Sequence, residues 1–204
     1  MPTSNEDICN LALGYLGEHF ITDIFRESNV ERLCRLHLPQ VRRCLLRMHA
    51  WNFAIMRVKL PASLLENTFG FEYRYALPSD YLQTLTVWQD SDMLMRIDKF
   101  KVEGEAILTD HEEAWLEYVA DITCTDIWTV DFIECVSVQL AARLAIPLGA
   151  GIAKSTQLMQ QLEQICLPRA LTNNSWEDLS GENNPIEKMM RESPYIQKNN
   201  VYIT

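Results

Sequence analysis

Near the N-terminus, apolar residues recur every three or four positions in the stretch "TSNEDICNLALGYLGE". This spacing predicts an amphipathic helix. Thr3 and Glu6 have the spacing of a capping box at its start, and Gly17 supplies a C-terminal stop. The stretch is therefore expected to begin the fold as a short, capped helix with one buried face.

A longer helical pattern follows, with a second predicted capping box at Ser28 and Glu31 and with Pro39 inside it. The proline is expected to kink this helix or to split it in two. The side opposite its apolar stripe is basic, since five arginines fall within an arc of roughly 140° on a helical projection. We predict that all five lie on the outer face of the helix. They are Arg32, Arg35, Arg42, Arg43 and Arg47.

From about residue 70 the apolar period changes from 3.6 to 2, as in "FEYRYALP", where apolar and polar residues alternate. This alternation predicts strands with one buried face. The stretches "YLQTLTVW", "KFKVEGEAILT" and "AWLEYVAD" extend the set. We expect roughly four to six short strands joined as antiparallel hairpins, with Gly104 in one of the turns.

Helical patterning returns at "DFIECVSVQLAARLAIPL", for which Asp126 and Asp131 are the candidate N-caps. A further helix is predicted from about residue 151 to residue 171. Beyond it the chain is polar, rich in Asn and interrupted by Pro185 and Pro194. This composition predicts an extended tail that becomes ordered only against a partner.

The predicted fold class is α+β: an antiparallel helical bundle of about four helices, with an inserted small antiparallel β-region and an extended C-terminal tail. Residues 1–66 form the N-terminal helical half and residues 67–125 the β-region. Residues 126–172 form the C-terminal helical half, and residues 173–204 form the tail. The two halves should pack together, because a helix pair alone would leave its apolar stripe in water.

The composition is that of an ordinary globular chain, with 204 residues and a hydrophobic fraction of 48%. The sequence has no leader pattern and no apolar run of about 20 residues. We therefore expect the chain to stay in the cytoplasm of the cell that makes it, without a membrane partner. The six cysteines occur singly and are predicted to be reduced thiols in the core.

Charge is distributed unevenly along the chain. The formal net charge is -10, yet residues 26–59 contain eight basic residues and two acidic ones. Broad binding of nucleic acid needs many phosphate-neutralising contacts, which an acidic body with one basic segment does not offer. From the residues alone, the basic face remains open to three interpretations: a DNA contact, a subunit contact or a solvated surface.

No pattern in the sequence predicts a catalytic, cofactor-binding or metal-binding site. "GAGIAKS" lacks the Gly before Lys154 that a phosphate-binding loop requires, and a predicted helix precedes it. The four histidines share no i, i+4 spacing with one another, so they do not indicate a zinc site. Acids such as Glu112, Glu113 and Glu117 resemble a glycosidase pair, but 28 acidic residues produce such pairs by chance.

Taken in order, several stretches resemble the tail tubular protein A family of short-tailed phages, which are head-to-tail adaptor proteins. They include "ICNLALGYLGE", "ERLCRLHLPQVRRCLLRMHAWNFAIMRVKL", "FEYRYALPSDYLQTLTV" and "FIECVSVQLAARLAIPL". The most specific parts are the W-N-F-A step at residues 51–54 and the Y-x-L-P-x-D step at residues 75–80. The likeness covers about residues 3–171. Ala50 stands where the family pattern has a proline, and the tail matches no part of that pattern.

The resemblance implies a structural virion protein and no enzyme. The family forms a ring, a dodecamer, which sits beneath the portal protein, joins the tail nozzle protein below and can also contact tail fibres. DNA passes through its lumen without specific binding, and the ring helps to retain packaged DNA. The expected location is the neck of the virion, after assembly in the host cytoplasm, and no cofactor is implied.

As hypotheses, these implications assign roles to three sets of residues. The subunit-interface candidates are Arg35, Arg42, Arg43 and Arg47. The structural anchors are Trp51 and Phe53, predicted to join the helices to the β-region, and Tyr75, Pro78 and Asp80. The portal-binding candidates are Trp176, Ile186, Met189 and Tyr195. Two alternatives stay open: a helical nucleic-acid-binding protein and a virion-associated peptidoglycan hydrolase.

Overall fold

The computed structural model describes residues 3–61 and 70–178. Its helices are α1 (Asn5–Leu16), α2 (Asn29–Met48), α3 (Val130–Leu144), α4 (Gly151–Gln161) and α5 (Leu167–Asp178). Its strands are β1 (Ile55–Lys59), β2 (Tyr73–Ala76), β3 (Tyr81–Trp88), β4 (Phe100–Glu103), β5 (Ala106–Thr109) and β6 (Trp115–Ala120). The fold is mixed α+β, as the change of apolar period predicted.

The N-cap of helix α1 lies one residue later than predicted. Ser4 is the N-cap: its hydroxyl accepts a hydrogen bond from the backbone N–H of Asp7, and the Asp7 carboxylate accepts one from the N–H of Ser4. The capping box is therefore Ser4 and Asp7, and the predicted box of Thr3 and Glu6 is wrong. Gly17 ends the helix with a φ of 72°, the left-handed conformation that favours glycine.

Helix α2 is continuous over 20 residues, so the predicted split at Pro39 is wrong. The proline lacks the N–H that would bond to the preceding turn, and the rest of the helix continues around this one missing bond. Ser28 is the N-cap, but its side chain caps no backbone N–H. The predicted capping box with Glu31 therefore does not form, and Glu31 is buried instead.

The six strands form two antiparallel three-stranded sheets, with strand orders β1-β6-β3 and β2-β5-β4. Strands β4 and β5 form a hairpin around Gly104, which has a φ of 60°, as predicted. Strand β1 lies inside the stretch that was predicted as helical and pairs with β6, Ile55 opposite Val119. The boundary between helices and sheets therefore falls at about Ala54 and not at residue 66.

Helix α3 packs against α1, α2, α4 and α5. Neighbours on every side explain why this helix is apolar almost all round. Its N-cap is Thr129, whose hydroxyl accepts a hydrogen bond from the N–H of Phe132, 3.3 Å away. Both predicted caps are therefore wrong: Asp126 lies in a preceding 3-10 turn, and Asp131 lies inside the helix, where it pairs with Arg169.

The last helical segment is longer than predicted. A π-helical turn, Leu162–Cys166, joins α4 to α5, and α5 continues to Asp178. Asn174 is buried, and its side-chain oxygen accepts a hydrogen bond from the N–H of Asn52, 3.0 Å away. Residues 173–178 are therefore part of the packed fold and not of an extended tail. The remainder of the predicted tail lies outside the described residues.

A single hydrophobic core connects the helices to both sheets, with Leu45 of α2, Leu140 of α3, Ile107 of β5 and Leu116 of β6 among its members. The cysteines are unpaired, and four of them are buried, but Cys124 is exposed, so its predicted core position is wrong. Among the helices of the described ranges, none has the length and apolarity needed to cross a bilayer.

Candidate subunit interface

The predicted basic face of α2 divides into arginines with different roles. Arg35 holds the loop between α1 and α2, because its Nη1 donates hydrogen bonds to the carbonyl oxygens of Ile24 (2.7 Å) and Arg26 (2.9 Å). Glu27 lies 3.8 Å from the same guanidinium. These contacts engage Arg35 within its own chain, so its first role is to position this loop.

Arg42 is buried, so its predicted place on the outer face is wrong. Its Nε and Nη2 donate to the two carboxylate oxygens of Asp121 at 2.7 and 3.0 Å, a bidentate pair. The reason is that α2 contacts strands β3 and β6, which cover part of the arc opposite the helix's apolar stripe. Arg42 therefore joins the helical part to the sheet and is not available to a neighbouring copy.

Asp121 also accepts a hydrogen bond from the Nε of Arg43, 2.7 Å from its second oxygen. One carboxylate thus faces two guanidiniums, which leaves an excess positive charge on the exposed side chain of Arg43. Burial raises the pKa of Asp121, but the hydrogen bonds from Arg42 and then Arg43 outweigh burial and hold this pKa below its ordinary value. The carboxylate stays ionised near neutral pH.

Asp80 extends this junction to the start of β3. Its carbonyl oxygen accepts a hydrogen bond from the N–H of Asp121 at 2.7 Å, and its carboxylate accepts one from the hydroxyl of Tyr118 at 3.1 Å. Burial, followed by the hydrogen bond and charge of Asp80, raises the pKa of Tyr118 to about 12. The last residue of the Y-x-L-P-x-D step therefore ties β3 to β6 beside the arginines of α2.

The other two predicted anchors in that step, Tyr75 and Pro78, shape the neighbouring sheet and turn. Tyr75 is buried, and its hydroxyl donates to the carbonyl oxygen of His111 at 2.8 Å, with the carbonyl oxygen of Glu112 also in contact. Pro78 accepts a hydrogen bond from the N–H of Tyr81 at 3.1 Å, in the turn between β2 and β3. Both residues stabilise the β-region internally.

Trp51 and Phe53 anchor a different pair of elements from the predicted one. Trp51 is fully buried, and its indole N–H donates to the carbonyl oxygen of Leu45 at 2.9 Å. Both rings meet the edge of Phe132 on α3, with ring centroids 5.0 Å apart in each case. They therefore join the end of α2 to the C-terminal helices, whereas the prediction placed this anchor between the helices and the β-region.

A surface groove of about 340 Å³ lies where α2, α3 and the start of β3 meet. We call it the arginine groove; it is lined by Gln40, Arg43, Cys44, Arg47, Leu82 and Arg143. Within residues 3–61 and 70–178, neither Arg47 nor Arg143 forms an ion pair. Burial, and then the charge of Arg143, lowers the pKa of His37 nearby. The groove is therefore a site of uncompensated positive charge.

Arg143 was missed by the sequence analysis, although a signal existed. It is the one cation in α3, a helix that is otherwise largely apolar. A charged residue in such a helix indicates the point at which the helix reaches the surface. Its position beside Arg43 and Arg47 depends on how α2 packs on α3, which the sequence does not reveal.

The arrangement is suited to binding an anionic group and provides no evident reaction chemistry. Glu113 and Glu117, which resembled a hydrolase pair, are each engaged by a cation of β1, Lys59 at 2.6 Å and Arg57 at 2.7 Å. In the part of the chain that the structure describes, no three His, Cys, Asp or Glu side chains converge as a metal site would require. No protein-family model matches the chain, and no curated protein is significantly similar to it.

Proposed function

We propose that this protein is a head-to-tail adaptor, a structural virion protein that forms a ring beneath the portal of a short-tailed phage and joins it to the tail nozzle. The observation that carries the proposal is the arginine groove. Arg47 and Arg143 are exposed cations without a carboxylate partner in the described part of a chain whose net charge is -10. Such a groove fits an acidic surface, which further copies of the same chain provide.

The acidic balance also suits a DNA conduit. A lumen lined mainly by carboxylates would repel phosphate, so DNA would pass through it without being held tightly. In this proposal the ring is a dodecamer built by repeated head-to-tail contacts, and the helices form an antiparallel bundle around α3. The resemblance of residues 3–171 to tail tubular protein A supports the same assignment.

The portal contact is proposed at the C-terminal end of α5 and the segment that follows it. Trp176 is 61% exposed near the end of this helix, so a large apolar side chain is open to a partner there. Ile186, Met189 and Tyr195, the other candidates, lie outside the described residues. Because Trp176 lies shortly before residues 179–204 in the chain, the tryptophan and this segment would bind the portal together.

The first test is the mass and negative-stain image of the purified protein, alone and mixed with its portal protein. A ring in either sample would support the adaptor function, and the sample in which it appears would give the order of assembly. A protein that stays monomeric and does not bind the portal would contradict the proposal.

The portal contact has its own test, deletion of residues 179–204. The cut leaves Asn174 and its hydrogen bonds with Asn52 in place, whereas a cut at residue 173 would also damage the fold. We expect weaker portal binding at an unchanged melting temperature. Trp176→Ala in the full chain is the matched single change, and portal affinity unchanged in both variants would rule out this contact.

The same groove favours one alternative, a nucleic-acid-binding protein, because Arg43, Arg47 and Arg143 could also contact phosphates. Three such contacts would give a slope of about -3 when the logarithm of the association constant for duplex DNA is plotted against that of the salt concentration. The adaptor proposal expects negligible affinity of the free monomer. Tight binding with the steep slope would favour the alternative.

A further inference from the structure

The lining of the arginine groove describes the side chains that would fill it. Its walls carry three guanidiniums, and Leu82 of β3 and Cys44 of α2 supply apolar surface between them. An occupant that buries this surface must bring carboxylates for the arginines and an apolar side chain for Leu82. Any carboxylate surface would satisfy the first condition, but only an acidic segment with exposed apolar side chains also satisfies the second.

The β3–β4 loop, residues 89–99, carries that combination. Leu94 is 80% exposed, and Met95 beside it is also exposed. Asp92 is exposed at the same tip, and within the described ranges its side chain has only the hydroxyl of Ser91, 3.2 Å away, as a partner. The tip thus presents a carboxylate that has no cation partner within the described ranges, next to exposed apolar side chains.

The loop is held in shape by its own hydrogen bonds. The N–H of Gln89 donates to the carbonyl oxygen of Met95 at 2.8 Å, and the N–H of Leu94 donates to the carboxylate of Asp90 at 3.0 Å. Met93 adopts the left-handed conformation, with a φ of 55°. A loop that is already ordered loses less conformational entropy when it binds than a flexible one would.

A chain cannot place its own loop in its own groove. Leu82 lines the groove at the start of β3, whereas the loop leaves β3 after Trp88 at the opposite end. At about 3.3 Å per residue these two points are roughly 20 Å apart along a rigid strand. The two complementary surfaces therefore lie at opposite ends of β3, which is compatible with a contact between copies.

We propose that the β3–β4 loop of one copy docks in the arginine groove of the next copy, an inference that rests on the proposed ring function. Asp92 neutralises Arg47 and Arg143, and Leu94 covers Leu82. Because the groove and the loop are different surfaces, the contact is heterologous, and in the proposed ring the rotation between neighbouring copies closes on itself. Arg43 takes a smaller part, since Asp121 already engages it.

The test uses two charge-reversed variants of the full chain. The groove variant is Arg47→Glu with Arg143→Glu, and the loop variant is Asp92→Lys. All three side chains are exposed, and Arg43 is left unchanged because it contacts Asp121. The readout is the mass of the assembly that forms, with portal protein present, from each variant alone and from an equimolar mixture.

Each variant alone should fail to assemble, because like charges then meet at every contact. The mixture should assemble to the wild-type mass, because each reversed groove meets a reversed loop and each native groove meets a native loop. Arg32→Glu is the matched control on the exposed face of α2 outside the groove, and it should assemble normally. Circular dichroism would show whether the variants fold. If the groove variant did not fold, Arg47→Gln with Arg143→Gln would take its place.

Normal assembly of either charge-reversed variant alone would overturn the inference and leave the ring function intact. A mixture that fails to assemble would also overturn it, because the loop would then not be the occupant of the groove. Failure of the Arg32→Glu control would show a general charge effect and would equally refute the contact. If the groove variant lost binding to duplex DNA but still assembled, the groove would be a phosphate-binding site and not a subunit contact. Wild-type protein that forms no assembly would refute the ring function itself.

Discussion

Asp121 holds the junction between α2 and the sheet, so its replacement by alanine should destabilise the whole fold. The carboxylate forms a bidentate pair with Arg42 and a further hydrogen bond with Arg43. The side chains of Arg42 and Asp121 are only 11% and 12% exposed. Asp121→Ala would leave the guanidinium of Arg42 buried without a compensating charge.

The expected cost follows from that burial. Removal of one partner of a buried ion pair typically costs about 3–5 kcal/mol, and we take the lower end because both side chains keep some contact with water. The pair with Arg43 is half exposed and adds less than about 1 kcal/mol. A total of about 3 kcal/mol corresponds to a fall of about 6–12 °C in the melting temperature of a chain of this size.

Urea unfolding followed by circular dichroism measures this change, and an unchanged m-value would show that the unfolded state is comparable. Glu113→Ala is the matched control, because it removes an exposed ion pair with Lys59 and should cost less than about 1 kcal/mol. Combining Asp121→Leu with Arg42→Met should recover most of the lost stability, since no charge then remains buried. A loss below about 1 kcal/mol for Asp121→Ala would refute the reasoning.

Three further predictions concern pH, the aromatic cluster and the end of α5. Although burial acts in the opposite direction, the hydrogen bonds from Arg42 and Arg43 keep the folded-state pKa of Asp121 below its unfolded value. Its contribution to stability is therefore complete above about pH 4 and is lost as the pH falls through the folded-state pKa. At acid pH, the urea midpoint of Asp121→Asn should fall less steeply with decreasing pH than that of the wild type. An equally steep fall would contradict this. Phe132→Ala should lower the free energy of unfolding by about 3–5 kcal/mol in the same urea assay, because the ring is fully buried among three other aromatic rings. Asn174→Ala should cost about 1–3 kcal/mol by thermal melting, because the N–H and the side-chain oxygen of Asn52 lose the side-chain amide of Asn174 as their partner; a cost similar to that of the exposed change Ser175→Ala would show that these bonds contribute little.

The periodic elements of the fold were predictable because their signal is local. The apolar stripes of α1, α2 and α3 and the alternation in β2, β3 and β6 give the type of each element directly. Strand β1 was missed because it follows the Trp51 step without a change of composition. Its identity as a strand depends on β6, which lies about 60 residues further along the chain.

The candidate site was predictable only as a set of arginines. A helical projection places Arg42 and Arg47 at the two ends of the basic arc, about 140° apart. It cannot show that a sheet covers the first and leaves the second exposed. The extension of α5 to Asp178 was missed for a similar reason. The stretch "TNNSWED" has no apolar stripe, and its place in the fold depends on the hydrogen bonds between Asn174 and Asn52, 122 residues apart.

The position of α3 among four other helices also determines when the protein can fold on the ribosome. About 130 residues separate the end of α1 from the end of α3, which is on the order of ten seconds of translation. During that interval the apolar faces of α1 and α2 lack α3, the helix against which both of them pack. Arg143 arrives with α3, so the arginine groove is incomplete on any chain that ends before α3, and in the proposed ring such a chain would lack this contact.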